Sequence, residues 1–223
     1  VFDVRWITSH KHALEQIYRQ YTLLLKHLMY VKNSLEEVGA SGVAKSEDLL
    51  SMFGSRSTPL FMVFNLDIQQ EFSIQSLRFQ SNDQSIIGQS GSKAALLECV
   101  GHVDTPKGGQ RTQSFLQEVQ CFKTELEMET MISNGQTSPC MDIATYEEAP
   151  IVRWHGLLLG GTHQTIGKLS AIKDAYLAKI REEIDDTFPA DVRVENGNTV
   201  GPLDVDVRVF FYSIVPLFSL MNM

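Results

Sequence analysis

The amino-acid sequence predicts a mainly α fold, and three observations carry that expectation. Apolar residues recur at steps of three and four from Leu14 to Leu35. The 21-residue stretch from Leu60 to Gln80 contains neither proline nor glycine, and a third periodic stretch runs from His163 or Thr165 to about Asp186. Steps of three and four place side chains on one face of an α-helix, and an uninterrupted stretch of that length suits a helix far better than a strand.

The first helix is expected after Thr8-Ser9, either of which could cap it. Leu14, Ile17, Tyr18, Tyr21, Leu24, Leu25, Leu28, Val31 and Leu35 form its inner face, and Glu15, Arg19, Gln20, Lys26 and Lys32 form its outer face. Gly39-Ala40-Ser41-Gly42 ends or interrupts it. A short helix fits Ser46–Phe53, followed by a break over Gly54–Pro59. The second long helix then carries Phe61, Phe64, Ile68, Phe72, Leu77 and Phe79.

Gly88–Ser92 reads as a polar hinge, Lys93–Val103 as a short helix and Thr105–Gly109 as a turn. Phe115–Ile132 reads as one helix, with Phe115, Val119, Phe122, Leu126 and Met131 inward, and Ser133–Pro150 as a loop. The last helix directs Ile166, Leu169, Ile172, Tyr176, Leu177, Ile180 and Ile184 to one side, and Pro189–Pro202 follows as an irregular linker. Alternation at Val205, Val207 and Val209 is a strand signal within Leu203–Phe218. The first and last long helices are expected to share one core. The whole reads as a single helical domain, 1–223, with linkers near 39–46, 104–113, 133–150 and 189–202.

Composition bounds the function. With 43% hydrophobic and 21% charged residues, the 223-residue chain has ordinary globular composition. Its net charge of -8 argues against a free-standing, non-specific nucleic-acid binder, although a local basic patch remains compatible with it. The three cysteines, Cys99, Cys121 and Cys140, are irregularly spaced, which suggests no disulfide framework and a reducing intracellular setting. The apolar run Val209–Met221 is too short for a membrane span and is interrupted by Ser213, Pro216 and Ser219. The opening Val-Phe-Asp-Val has no initiator methionine and reads as the interior of a longer chain.

No constellation makes a self-sufficient active site. Cys99 and His102 have the spacing of half a zinc site, but no second pair follows, and an ordinary helix end explains them. His10 and His12 flank Lys11 and would point to different sides of a helix. Glu182-Glu183 and Asp185-Asp186 fit a solvated helix face better than a metal-dependent phosphoryl-transfer site. Gly108-Gly109 and Gly160-Gly161 lack the Lys-Ser/Thr of a phosphate loop. No catalytic or metal-binding residues are therefore assigned. The leads are two Arg-Trp pairs, Arg5-Trp6 and Arg153-Trp154.

Four stretches in order resemble hAT-superfamily DNA transposases and their transposon-derived relatives. DVRWITSHKHALEQIYRQY resembles the family's Arg-Trp segment leading into a long helix. LFMVFNLDIQQEFSIQSLRFQ carries Asp67, Ser76 and Phe79-Gln80 at the family's spacing. WHGLLLGG, Trp154–Gly161, resembles an aromatic-Gly-x-x-Leu element. IKDAYLAKIREEIDDTFP resembles the family's closing helix, although Thr187 stands where a basic residue is usual.

The resemblance implies the helical insertion domain of a ribonuclease H-like core. The family's two catalytic aspartates would then lie upstream of Val1 and its glutamate beyond Met223. Mg2+ or Mn2+ would belong to the complete core and no cofactor to this chain. Arg5, Trp6 and Lys11 become the DNA-contact candidates, with Trp6 stacking on an unstacked base and Arg5 holding a phosphate, against a packing role for Trp6 beneath the first helix. The implied partners are transposon-end DNA, a second copy of the chain, and nuclear proteins if the copy is a domesticated, non-catalytic scaffold. The implied location is the nucleus, with no membrane association.

Overall fold

The computed structural model describes residues 3–81, 89–160, 169–187, 193–195 and 198–200. The described chain is mainly helical, and none of its helices is long and apolar enough to cross a membrane. Four helices come first: α1 (Asp3–Arg19), α2 (Tyr21–Asn33), α3 (Leu35–Phe53) and α4 (Ser57–Ser81). After α5 (Gln89–Val103) and α6 (Gln110–Glu118) come β1 (Gln120–Phe122), α7 (Glu125–Ser133) and α8 (Ile143–Glu148). Then follow β2 (Ile151–Trp154), β3 (Leu157–Leu159), α9 (Leu169–Thr187), β4 (Arg193–Glu195) and β5 (Asn198–Val200).

The helix expected from Thr8-Ser9 to Leu35 begins earlier, at Asp3, and is broken at Gln20. The break is slight, because Gln20 N still donates to Gln16 O and Leu24 N to Gln20 O. Its inner face is also rotated from the expected one. Tyr21, Leu25 and Leu28 are buried, whereas Leu24 is only half-buried and Ile17 is exposed. The interruption expected at Gly39–Gly42 is present but confined to one residue: Gly39 (φ 71°, ψ 168°), whose missing side chain permits this backbone, kinks α3, and the rest of the expected 39–46 linker is helical.

α4 is confirmed and extends slightly beyond its expected ends. It is buried nearly all round, since α1, α5 and α6 all pack on it. Even its polar residues are enclosed: Gln69 donates to Asn65 Oδ1 at 3.0 Å and bonds His10 Nδ1 at 2.8 Å. Leu77, one of the periodic apolar residues of this stretch, is exposed.

The expected Phe115–Ile132 helix is the largest error. It divides into α6, β1 and α7, because Val119 turns to extended backbone and its neighbours pair with β2. The register sets Gln120 against Arg153 and Phe122 against Ile151, and β3 completes an antiparallel sheet in the order β1-β2-β3. A two-residue loop, His155-Gly156, joins β2 to β3 with positive φ at both residues (46° and 84°), the handedness that matches the twist of a hairpin.

Three further linker expectations are corrected by capping and pairing. Asp67 starts α6 within the expected 104–113 linker, leaving only the Thr105–Gly109 turn. Asp142 starts α8 within 133–150 by accepting from Thr145 N at 2.8 Å. Within 189–202, β4 and β5 pair antiparallel. The expected hinge at Gly88–Ser92 is helical from Gln89. Ile166 and the strand within Leu203–Phe218 lie outside the described residues.

The first and last long helices do not share one core. One cluster gathers Tyr21, Leu25, Leu60, Val63, Phe115, Tyr146 and Trp154 from α2, α4, α6, α8 and the sheet. The other joins Phe64, Ile68 and Phe72 of α4 to Leu96, Val100 and Val103 of α5 and to Tyr176, Leu177, Ile180 and Ile184 of α9. Ile172, expected inward, is exposed. α4 contributes to both clusters and thereby joins the two halves.

The expectation that the cysteines make no disulfide framework is corrected by one bond. Cys121 and Cys140 are disulfide-bonded, with Cα atoms 5.6 Å apart, and Cys99 lies outside this bond and is buried. Their 19-residue separation gave no sign of this, because the contact depends on strand β1 meeting the segment that ends at Cys140.

Candidate nucleic-acid interface

Arg5 and Trp6 lie in the opening turns of α1. Lys11 lies on the same helix and its Nζ donates to Gln70 Oε1 on α4, so this lysine also helps to fix α1 on α4. His10 makes a parallel contact through Gln69.

Seven residues are nearly two helical turns, so positions 5, 12 and 19 share one face of α1. Arg5, His12 and Arg19 occupy them, and His12 and Arg19 are exposed. Because the hydrogen-bond ladder is nearly continuous through Gln20, the row extends to exposed Lys26 on α2. Residues 3–33 hold five Lys/Arg against two Asp/Glu, inside a chain of net charge -8. Sequence reading placed Arg19 and Lys26 on the outer helix face without naming them as contacts. The seven-residue spacing was the available signal.

The inner side of the same helices is occupied by an aromatic cluster. Trp154 is 3% exposed; its ring stacks on Tyr18 at 5.5 Å and lies 5.4 Å from Tyr21 and 5.1 Å from Phe115. Its indole N–H donates to Glu118 Oε2 at 3.3 Å. Burial raises the Tyr18 and Tyr21 phenols well above their ordinary range, and nearby Glu118 adds to the effect at Tyr18. The second Arg-Trp pair therefore contributes a core tryptophan. Trp154 is not available to stack on a nucleic-acid base.

Asp67, the acidic residue of the second resembling stretch, has a structural task. Its carboxylate accepts from Arg111 N at 2.7 Å, Thr112 N at 2.9 Å and Thr112 Oγ1 at 2.7 Å, holding the first turn of α6. A Cβ on Gly109 would collide with this carboxylate, so glycine is required there for close approach. Burial raises the Asp67 carboxyl above its usual range, against the lowering effect of these hydrogen bonds.

The remaining candidates are spread apart. Cys99 is buried against the backbone of Glu71, while the His102 ring bonds the Glu71 carboxylate at 3.0 Å. Asp185 pairs with Lys93 at 2.7 Å, and Glu182 and Glu183 both face Lys179. These carboxylates are committed to lysines and do not converge on one point. Among the described residues, no group of three His, Cys, Asp or Glu side chains is placed to hold a metal ion.

No known protein family, curated protein or solved structure matches this chain.

Proposed function

We propose that this chain is the helical insertion-type region of a hAT-like transposase or a transposon-derived relative. In this reading it acts in the nucleus, and the helical row Arg5–His12–Arg19–Lys26, of which His12, Arg19 and Lys26 are exposed, contacts DNA. The observation that carries the reading is this basic row on an otherwise acidic chain, led by the Arg-Trp pair. A row of cations can neutralise phosphates and release their counterions, which makes the affinity salt-dependent. Any Mg2+ or Mn2+ chemistry would belong to carboxylates outside this chain, so the chain alone neither cuts nor joins strands.

A second reading, a non-catalytic helical scaffold for protein contacts, is favoured by the structural uses of Asp67 and Trp154 and by the net charge of -8. Paired binding measurements separate the two. Fluorescence anisotropy with labelled hairpin and duplex DNA should show Trp6→Ala weakening hairpin binding while duplex binding is largely kept, because stacking requires an unstacked base. Equal, salt-insensitive binding of all variants, or no binding to either DNA, would leave the scaffold reading.

A further inference from the structure

We propose that Cys121 and Cys140 form a reversible thiol–disulfide clasp, closed by exchange with a small-molecule disulfide of the glutathione class, that controls how firmly α7 is held. Their Cα separation of 5.6 Å lies within the range a disulfide spans. The backbone at each end is anchored without help from sulfur. Cys121 N donates to Ser138 O at 2.8 Å, Cys140 N bonds Leu116 O and Val119 O at 3.2 Å each, and Gln120 forms a bridge with Pro139. The two thiols therefore remain neighbours when the bond is open, and both states keep the same fold.

The segment between them is what the clasp restrains. Phe122 is buried, but α7 contributes no buried residue, and its Leu126 is 74% exposed. α7 is stabilised locally, by Thr124 capping Glu127 N and by the Glu127 carboxylate accepting from Lys123 N. With little packing to hold it, the excursion depends on its neck. Closing a loop of this length restricts the opened ensemble substantially.

Exchange proceeds in two balanced steps. Cys121, the less deeply buried thiol of the pair, attacks as thiolate on one sulfur of glutathione disulfide and expels one glutathione thiolate. The Cys140 thiolate then attacks the Cys121 sulfur of the mixed disulfide and expels the second. Two electrons pass from the protein to the small disulfide, and the two protons lost by the cysteines end on the two glutathione thiols. Reduced glutathione drives the reverse.

The clasp stands independently of the DNA reading. The test equilibrates the whole chain in glutathione buffers of graded oxidised-to-reduced ratio and quenches it by alkylation. Mass spectrometry then measures the Cys121–Cys140-linked peptide, circular dichroism reports the fold, and a Glu-specific protease probes Glu125, Glu127 and Glu129. The linked fraction should rise and fall reversibly with the ratio at unchanged helicity, and opening should speed α7 cleavage by about tenfold. The double variant Cys121→Ser/Cys140→Ser should match the open state at every ratio. Three results would each overturn the proposal: cysteines that stay alkylatable at all ratios, a bond reduced only when the chain unfolds, or equal cleavage in both states.

Discussion

The inner and outer faces of α1–α2 belong to the same two helices and serve opposite ends. Inward, Tyr18, Tyr21, Leu25 and Leu28 are committed to packing, and Tyr18 and Tyr21 close over Trp154. Outward, His12, Arg19 and Lys26 stay exposed in a basic row. Whether a side chain faces inward or outward decides its use. Trp154 of β2 and Asp67 of α4 are likewise buried and maintain the fold. Residues left outward are free to meet a partner. Changes to inner residues should therefore cost stability, and changes to the outer row should cost binding alone.

The largest expected effect is at Trp154. Trp154→Ala should destabilise the chain by about 3–5 kcal/mol, since it removes the ring that Tyr18, Tyr21 and Phe115 share. Urea unfolding followed by circular dichroism measures this, and a loss below about 1 kcal/mol would mean the aromatic cluster is not the centre of that core. Next, Leu25→Ala should cost about 2–5 kcal/mol and Leu24→Ala clearly less, because Leu25 is 2% exposed and Leu24 half-buried. Equal losses would place the helix face where the sequence alone put it.

Asp67→Ala should cost about 1–3 kcal/mol by leaving two N–H groups and a hydroxyl at the start of α6 unpaired. Hydrogen exchange should quicken first at Arg111 and Thr112, and unaltered exchange there would refute the capping role. The smallest effect concerns Asp104, which accepts from Arg181 Nη2 at 2.6 Å and lies 3.4 Å from Lys173 Nζ. The Arg181 hydrogen bond holds its carboxyl below the usual range. A carboxylate lowered in the folded state adds stability above its unfolded pKa and loses it as pH falls through the folded one. Asp104→Asn should thus cost up to about 1 kcal/mol at neutral pH and nothing in strong acid. A cost that does not change with pH would rule out the charge as its source.

The long helices were legible because their periodicity is written locally. α4 shows Phe64, Ile68 and Phe72 at helical steps, and α9 shows Tyr176, Leu177, Ile180 and Ile184. The sheet was not legible, because Val119–Phe122 has apolar residues compatible with helix and becomes a strand only by pairing with β2, some thirty residues away. Tertiary pairing overrode local preference there. The burial of Leu25 over Leu24 depended on the helix orientation, which adjacent leucines leave open. In the candidate interface, the basic spacing along α1 was readable, whereas the enclosure of Trp154 was not: its aromatic partners come from α1, α2 and α6.

The most direct test of the functional account is the salt dependence of duplex DNA binding by wild type and the double variant Arg19→Gln/Lys26→Gln. Each phosphate contact contributes roughly 0.9 to the slope of log affinity against log salt. If the outer row meets DNA, the double variant should fold with unchanged stability, bind more weakly at low salt, and show a slope shallower by about two contacts' worth. An unchanged slope and affinity in a folded variant would contradict the account, and the outer face of α1–α2 would then have no part in nucleic-acid binding.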